Sequence, residues 1–161
     1  MKLGINNIDV VILAGGLGER LRSKVSDRSK VLAEVSGRPF IVYLLDKLIE
    51  TGFDRVVLCT GHMAEGIETC FGKYYRNIKI DYSREQIPLG TGGAFRNAMR
   101  MLRHDSILLM NGDSFVDIDF MDLAMWHKNR GANWTFVVGQ TASVERYGNI
   151  RLGPQDEVME F

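Results

Sequence analysis

Apolar and polar positions along this chain follow two periods that take turns. Residues 8–13 (Ile-Asp-Val-Val-Ile-Leu), 55–60 (Arg-Val-Val-Leu-Cys-Thr) and 106–110 (Ser-Ile-Leu-Leu-Met) are short apolar runs, the pattern of buried strands. Residues 78–82 alternate in and out and predict another strand, and 134–139 and 147–152 predict two more. Between them the period lengthens. Residues 39–50 set Ile41, Leu44, Leu45 and Leu48 on one helical stripe, and 92–102 do the same with Ala94, Phe95, Ala98, Met99 and Leu102. Residues 63–71 and 120–128 complete the predicted helices. Alternating strands and helices predict an α/β fold, three layers α/β/α around a mostly parallel mixed sheet. In such sheets ligands gather beyond the carboxyl ends of the strands.

Three segments at predicted strand ends carry candidate chemistry. The first run leads into Leu13-Ala14-Gly15-Gly16-Leu17-Gly18-Glu19-Arg20-Leu21. Glycines there let backbone N–H groups approach phosphate oxygens, with Arg20 as the accompanying charge. No Gly-Lys-Ser/Thr closes the turn and the spacing is not that of a dinucleotide fingerprint, so neither of those phosphate loops fits. An ordinary strand-to-helix turn with a solvated arginine is the competing reading. The run at 106–110 ends at Asn111-Gly112-Asp113, where an aspartate can hold Mg²⁺ against triphosphate oxygens; equally, Asn-Gly-Asp is common turn chemistry. The third is Glu85-Gln86-Ile87-Pro88-Leu89-Gly90-Thr91-Gly92-Gly93-Ala94, whose main-chain groups can read a nucleobase edge, with Glu85 as an added acceptor. As a bare loop it would simply use Thr91 to cap the following helix. Lys30, ten residues past Arg20, offers a mobile point charge for phosphates. Asp119 reads as a helix cap.

Composition narrows the partners. The 161 residues are 45% hydrophobic, enough for one core, and a single domain is expected. Twenty basic against twenty acidic residues leave no net charge, which argues against a nucleic-acid polymer as partner and favours a small ligand. No apolar run reaches membrane length and the first residues lack a signal core, so a cytoplasmic protein with no membrane partner is expected. Cys59 and Cys70 lack metal or redox spacing and read as reduced packing residues. His62, His104 and His127 read as surface or helix-end residues, Trp126 and Trp134 as core or interface. Oligomeric state is not legible, and a homo-oligomer stays open.

Taken in order, Leu-Ala-Gly-Gly-x-Gly-x-Arg-Leu at 13–21, Lys30, Gly37-Arg38-Pro39-Phe40, Leu89-Gly90-Thr91-Gly92-Gly93-Ala94, Asn111-Gly112-Asp113 and Arg146-Tyr147-Gly148 resemble the sugar-1-phosphate nucleotidyltransferases over nearly the whole chain. Within that family the set is most similar to the guanylyltransferases acting on D-glycero-α-D-manno-heptose 1-phosphate. The resemblance implies a Rossmann-like sheet and transfer of a nucleotidyl group from GTP to a sugar 1-phosphate, giving a GDP-sugar and pyrophosphate. It further implies that Leu13, Ala14, Gly15, Gly16 and Gly18 bind the triphosphate and that Arg20 and Lys30 are catalytic. Glu85, Gly90, Thr91 and Gly92 would face the base, Asp113 would carry the cofactor Mg²⁺, and Gly148 would lie against the sugar.

Two departures bear on that expectation. Ser29 stands before Lys30 where the family more often has proline. The sequence also stops at Phe161, before an expected Glu-Lys pair and a second metal-binding aspartate, and so reads as the N-terminal nucleotide-binding portion of such an enzyme, truncated at its C-terminus. A strand without its continuation would expose an edge or an apolar patch. Transfer of a uridylyl or thymidylyl group to a hexose 1-phosphate, or a non-catalytic nucleotide-sugar-binding module, remain alternatives.

Overall fold

The computed structural model describes residues 5–16, 29–61, 63–140 and 149–160. Strands β1 (Ile8–Leu13), β4 (Arg55–Thr60), β6 (Ile78–Arg84) and β7 (Ser106–Asn111) run parallel, and the short β5 (Tyr74–Tyr75) adds antiparallel to β6. The sheet order is β5-β6-β4-β1-β7. Alternation along the central strands builds two cores. Val10 and Ile12 of β1 and Val56 and Leu58 of β4 pack on the side covered by α1 (Phe40–Thr51) and α2 (Ala64–Phe71). Val11, Val57 and Cys59 face α3 (Gly90–Ala98) through its Ala94 and Ala98. Helices thus lie on both faces, as the alternating periods predict.

A hairpin of β2 (Glu34–Val35) and β3 (Arg38–Pro39) precedes α1; its turn residues Ser36 and Gly37 have φ of 50° and 77°, the positive pair that a two-residue hairpin turn needs. Arg38 reaches Asp46 of α1 at 2.6 Å and the Tyr75 hydroxyl at 3.2 Å, so the Gly-Arg-Pro-Phe motif pins α1 to the sheet edge. Helix α4 (Phe120–Arg130) starts where Asp119 accepts from the Met121 and Asp122 amides, as its cap position predicts. The last strands, β8 (Arg151–Leu152) and β9 (Val158–Glu160), form a separate two-stranded ribbon.

Several expectations are corrected. Residues 134–139 form no strand, and Trp134 is 72% exposed, with Phe136, Val137 and Val138 about half exposed. β propensity is realised only against a ladder partner, and none of the described strands lies beside this segment. Of the strand expected at 147–152, only Arg151–Leu152 forms among the described residues. β7 is not fully buried, because it is the end strand of the sheet and Leu109 faces outward. Trp126 is also exposed, under the Arg130 guanidinium, so neither tryptophan is core. Cys70 is exposed rather than packed.

Cys59 is fully buried, and burial, with Glu85 nearby, pushes its thiol up to about 11. A thiol-reactive dye is therefore expected to modify Cys70 readily and Cys59 only on unfolding; rapid modification of both in the native protein would contradict this packing.

Candidate functional site

The chain leaves β1 toward β4 on one side and comes back to β7 on the other, so β1 is where the sheet order reverses. Such a switch point opens a crevice at the carboxyl ends of the strands. Four strand ends meet there by backbone hydrogen bonds. The Ala14 amide donates to Cys59 O at 2.8 Å, the Gly112 amide to Leu13 O at 2.8 Å, and the Glu85 amide to Thr60 O at 2.8 Å. Leu13, Ala14, Gly15, Gly16, Glu85 and Asp113, widely separated in sequence, are thereby gathered on one rim.

Two glycines are required by close approach. A Cβ on Gly15 would lie 3.1 Å from Glu85 Oε1 and 3.2 Å from Gly61 N. One on Gly112 would lie 2.9 Å from Leu13 O, 3.0 Å from Val31 Cγ1 and 3.1 Å from Ile12 Cγ2. Gly112→Ala is accordingly expected to cost about 1–3 kcal/mol and lower Tm by several degrees, because the Leu13 carbonyl cannot yield without breaking the bond it accepts. An unchanged melting curve would contradict that packing.

Lys30 begins a 3₁₀ turn (Lys30–Leu32) whose Val31 and Leu32 are buried against α1, which aims the lysine back at the rim. Its Nζ donates to Asp113 Oδ2 at 2.5 Å, with the two side chains 33% and 37% exposed. Ser29 holds φ −60° and ψ 141°, within the range of proline, so the serine keeps the backbone path that a proline would impose.

The Glu85 carboxylate has two duties. Oε2 accepts from the Leu89 amide at 2.9 Å and fixes the entry to α3, while Oε1 lies toward Gly15. The helix begins at Gly90, whose φ of 69° suits glycine, so Thr91 lies in its first turn and is not the cap. Gly92 is also within α3. Thr60 and Gly61, at the end of β4, complete the rim and carried no chemical signal in the sequence beyond ending an apolar run. The buried hydroxyls of Thr60 and Ser29 have no hydrogen-bond partner among the described residues.

Gly18, Arg20, His62 and Gly148 lie outside the described residues. A hollow of about 800 Å³ lies elsewhere, between α1 and the segment leading into α4, and contains none of the rim residues. Both of its basic residues are already paired, Arg38 with Asp46 and Lys47 with Asp117, each at 2.6 Å.

The sequence pattern of the nucleotidyl transferase family matches residues 9–161. The chain belongs to this family. It is 40% identical over 143 residues to the D-glycero-α-D-manno-heptose 1-phosphate guanylyltransferase of Aneurinibacillus thermoaerophilus, covering 89% of this chain and 62% of the relative. To the enzyme of that name from Campylobacter jejuni it is 34% identical, covering 96% and 67%. The crystal structure of HddC from Yersinia pseudotuberculosis complexed with GMP-PN superimposes with a TM-score of 0.76 at 31% identity, covering 93% of this chain and 66% of that one. The chain thus spans about two thirds of the length of these relatives. For a family member, the clustering of glycine turn, lysine, glutamate and aspartate at one switch point is an arrangement able to receive a phosphorylated ligand.

Proposed function

We propose that this chain is the nucleotide-binding portion of a guanylyltransferase that joins GTP and D-glycero-α-D-manno-heptose 1-phosphate into a GDP-sugar with release of pyrophosphate. The observation that carries the reading is the meeting of Gly15, Lys30, Glu85 and Asp113 on one rim at the reversal of sheet order. The names of the relatives support the choice of guanine and heptose.

In the reaction an oxygen of the sugar phosphate forms a bond to the α-phosphorus as the bond from that phosphorus to the leaving pyrophosphate breaks. No covalent enzyme intermediate is needed; in-line positioning and charge neutralisation suffice. The backbone at 13–16 would receive the triphosphate, with Gly18 and Arg20 on the pyrophosphate. Lys30 would neutralise phosphate charge, and Gly148 would lie against the sugar. The loop from Glu85 through Gly92 would face the base, the Glu85 carboxylate accepting from guanine N–H groups.

The residues present fit a Mg²⁺ site. Among the described residues Asp113 stands in no cluster of three metal-ligating side chains, and its carboxylate already faces a cation, the Lys30 ammonium. A single carboxylate suits a hard cation that keeps waters and takes its other ligands from phosphates. When bound, that ion supplies charge neutralisation at the phosphates. The parts that complete the sugar-phosphate site belong, on this reading, to the share of the relatives' length outside the match. No helix among the described residues is long and apolar enough to cross a membrane.

The test is pyrophosphate release from GTP and the heptose 1-phosphate with Mg²⁺, using the protein at the relatives' full length; no release overturns the reading. Glu85→Gln is expected to keep the bond from the Leu89 amide on one oxygen but lose the Oε1 acceptor for guanine, about 1–3 kcal/mol, or about 5- to 150-fold in preference for GTP over UTP. Unchanged preference would remove Glu85 from base recognition.

A further inference from the structure

We propose that Lys30 is a placeholder cation: its ammonium occupies the metal seat on Asp113 until a metal ion displaces it, and passes to phosphate when nucleotide binds. This rests on Asp113 being the metal ligand. The ammonium sits on Oδ2 at 2.5 Å, and the other oxygen has only the Ser114 hydroxyl at 3.4 Å, so Lys30 is the one strong partner of this carboxylate among the described residues. The contact joins residues 83 positions apart. It is held from both sides, by the buried Val31-Leu32 anchor after the lysine and by the packed Gly112 before the aspartate. An ammonium held on Oδ2 repels a divalent ion that approaches the same carboxylate. Metal entry is therefore opposed while the lysine stays, and a triphosphate offers it a new anionic partner. Bare metal should consequently bind weakly, and metal and nucleotide should each raise the affinity for the other, as linkage demands.

The test reads the lysine itself. The native chain and the variants Asp113→Asn and Lys30→Met are compared, with Mn²⁺ binding followed by electron paramagnetic resonance. Acylation of Lys30 is measured by peptide mass spectrometry with and without Mg²⁺ at constant ionic strength, exposed Lys73 serving as the internal reference. Asp113→Asn should raise Lys30 labelling about three- to five-fold without metal, the size of a half-exposed ion pair. Mg²⁺ raised until the weak bare-metal site saturates should produce a similar rise in the native chain and none in Asp113→Asn, and Lys30→Met should bind Mn²⁺ several-fold more tightly than the native chain. If Asp113→Asn lowers Mn²⁺ binding but Mg²⁺ leaves native Lys30 labelling unchanged, the metal ligand stands and the exchange is overturned. If Mn²⁺ behaves identically with native chain and Asp113→Asn, Asp113 is not the ligand and the reading beneath the proposal fails as well.

Discussion

Asp113→Asn is expected to lower Mg²⁺-dependent pyrophosphate release by about two to three orders of magnitude while leaving the fold in place. The magnitude is that of removing one charged group aimed at developing phosphate charge. The fold should survive because the carboxylate is 37% exposed at a strand end and its pair with Lys30 contributes at most about 1 kcal/mol. Asparagine keeps the shape and a neutral oxygen, so what changes is the charge available to a hard cation. Steady-state kinetics across a Mg²⁺ series, with a melting curve beside it, checks both halves. A fully active variant removes Asp113 from the metal site, and an unfolded one makes it structural.

The opposite end of the sheet carries the largest expected stability effect. Arg55, 11% exposed, donates to Asp9 at 2.9 Å, to Asp81 at 2.7 Å and to the Met101 carbonyl at 2.8 Å, tying the amino ends of β1 and β4 to the middle of β6. Asp9, 6% exposed, also accepts from the Arg103 and His104 amides. Arg55→Met keeps most of the volume and leaves two carboxylates without their shared cation. The expected loss is about 3–5 kcal/mol, or a fall in Tm of about 10 °C. Burial opposes ionisation of Asp81, but hydrogen bonds from Lys79 and Arg55, with their charges, outweigh it and hold the carboxyl below its ordinary value of 3.8. A depressed carboxyl stabilises the folded state fully above the unfolded value and loses that contribution as pH falls through the folded one. The gap between native and Arg55→Met should therefore be widest near neutrality and narrow below about pH 4. A gap that is small, or that widens in acid, would contradict the role given to this ion pair.

These two ends differ in how much of them the sequence reveals. Residues 8–13 and 55–60 emerge as strands with the limits expected, because each carries an apolar run, 10–13 and 56–59, buried on both faces. Asp119 reads correctly as a cap because capping is local. The segment 134–139 has the composition of a strand but lacks a ladder partner, and pairing is a tertiary fact that composition does not carry. At the rim, Gly15 and Asp113 are legible because each stands where an apolar strand runs out. The Lys30 contact with Asp113 is not, since no period links positions so far apart. The bond from the Leu89 amide that occupies half of the Glu85 carboxylate is likewise invisible, as are Thr60 and Gly61, whose residue types announce no chemistry.

The most direct measurement is calorimetric titration of the 161-residue chain with GTP, UTP, dTTP, CTP and ATP, each with and without Mg²⁺. Saturable binding that favours GTP and weakens when Mg²⁺ is withdrawn is the expected result. Preference for another base would contradict the guanylyltransferase reading, and absence of nucleotide binding would contradict the rim as a nucleotide site.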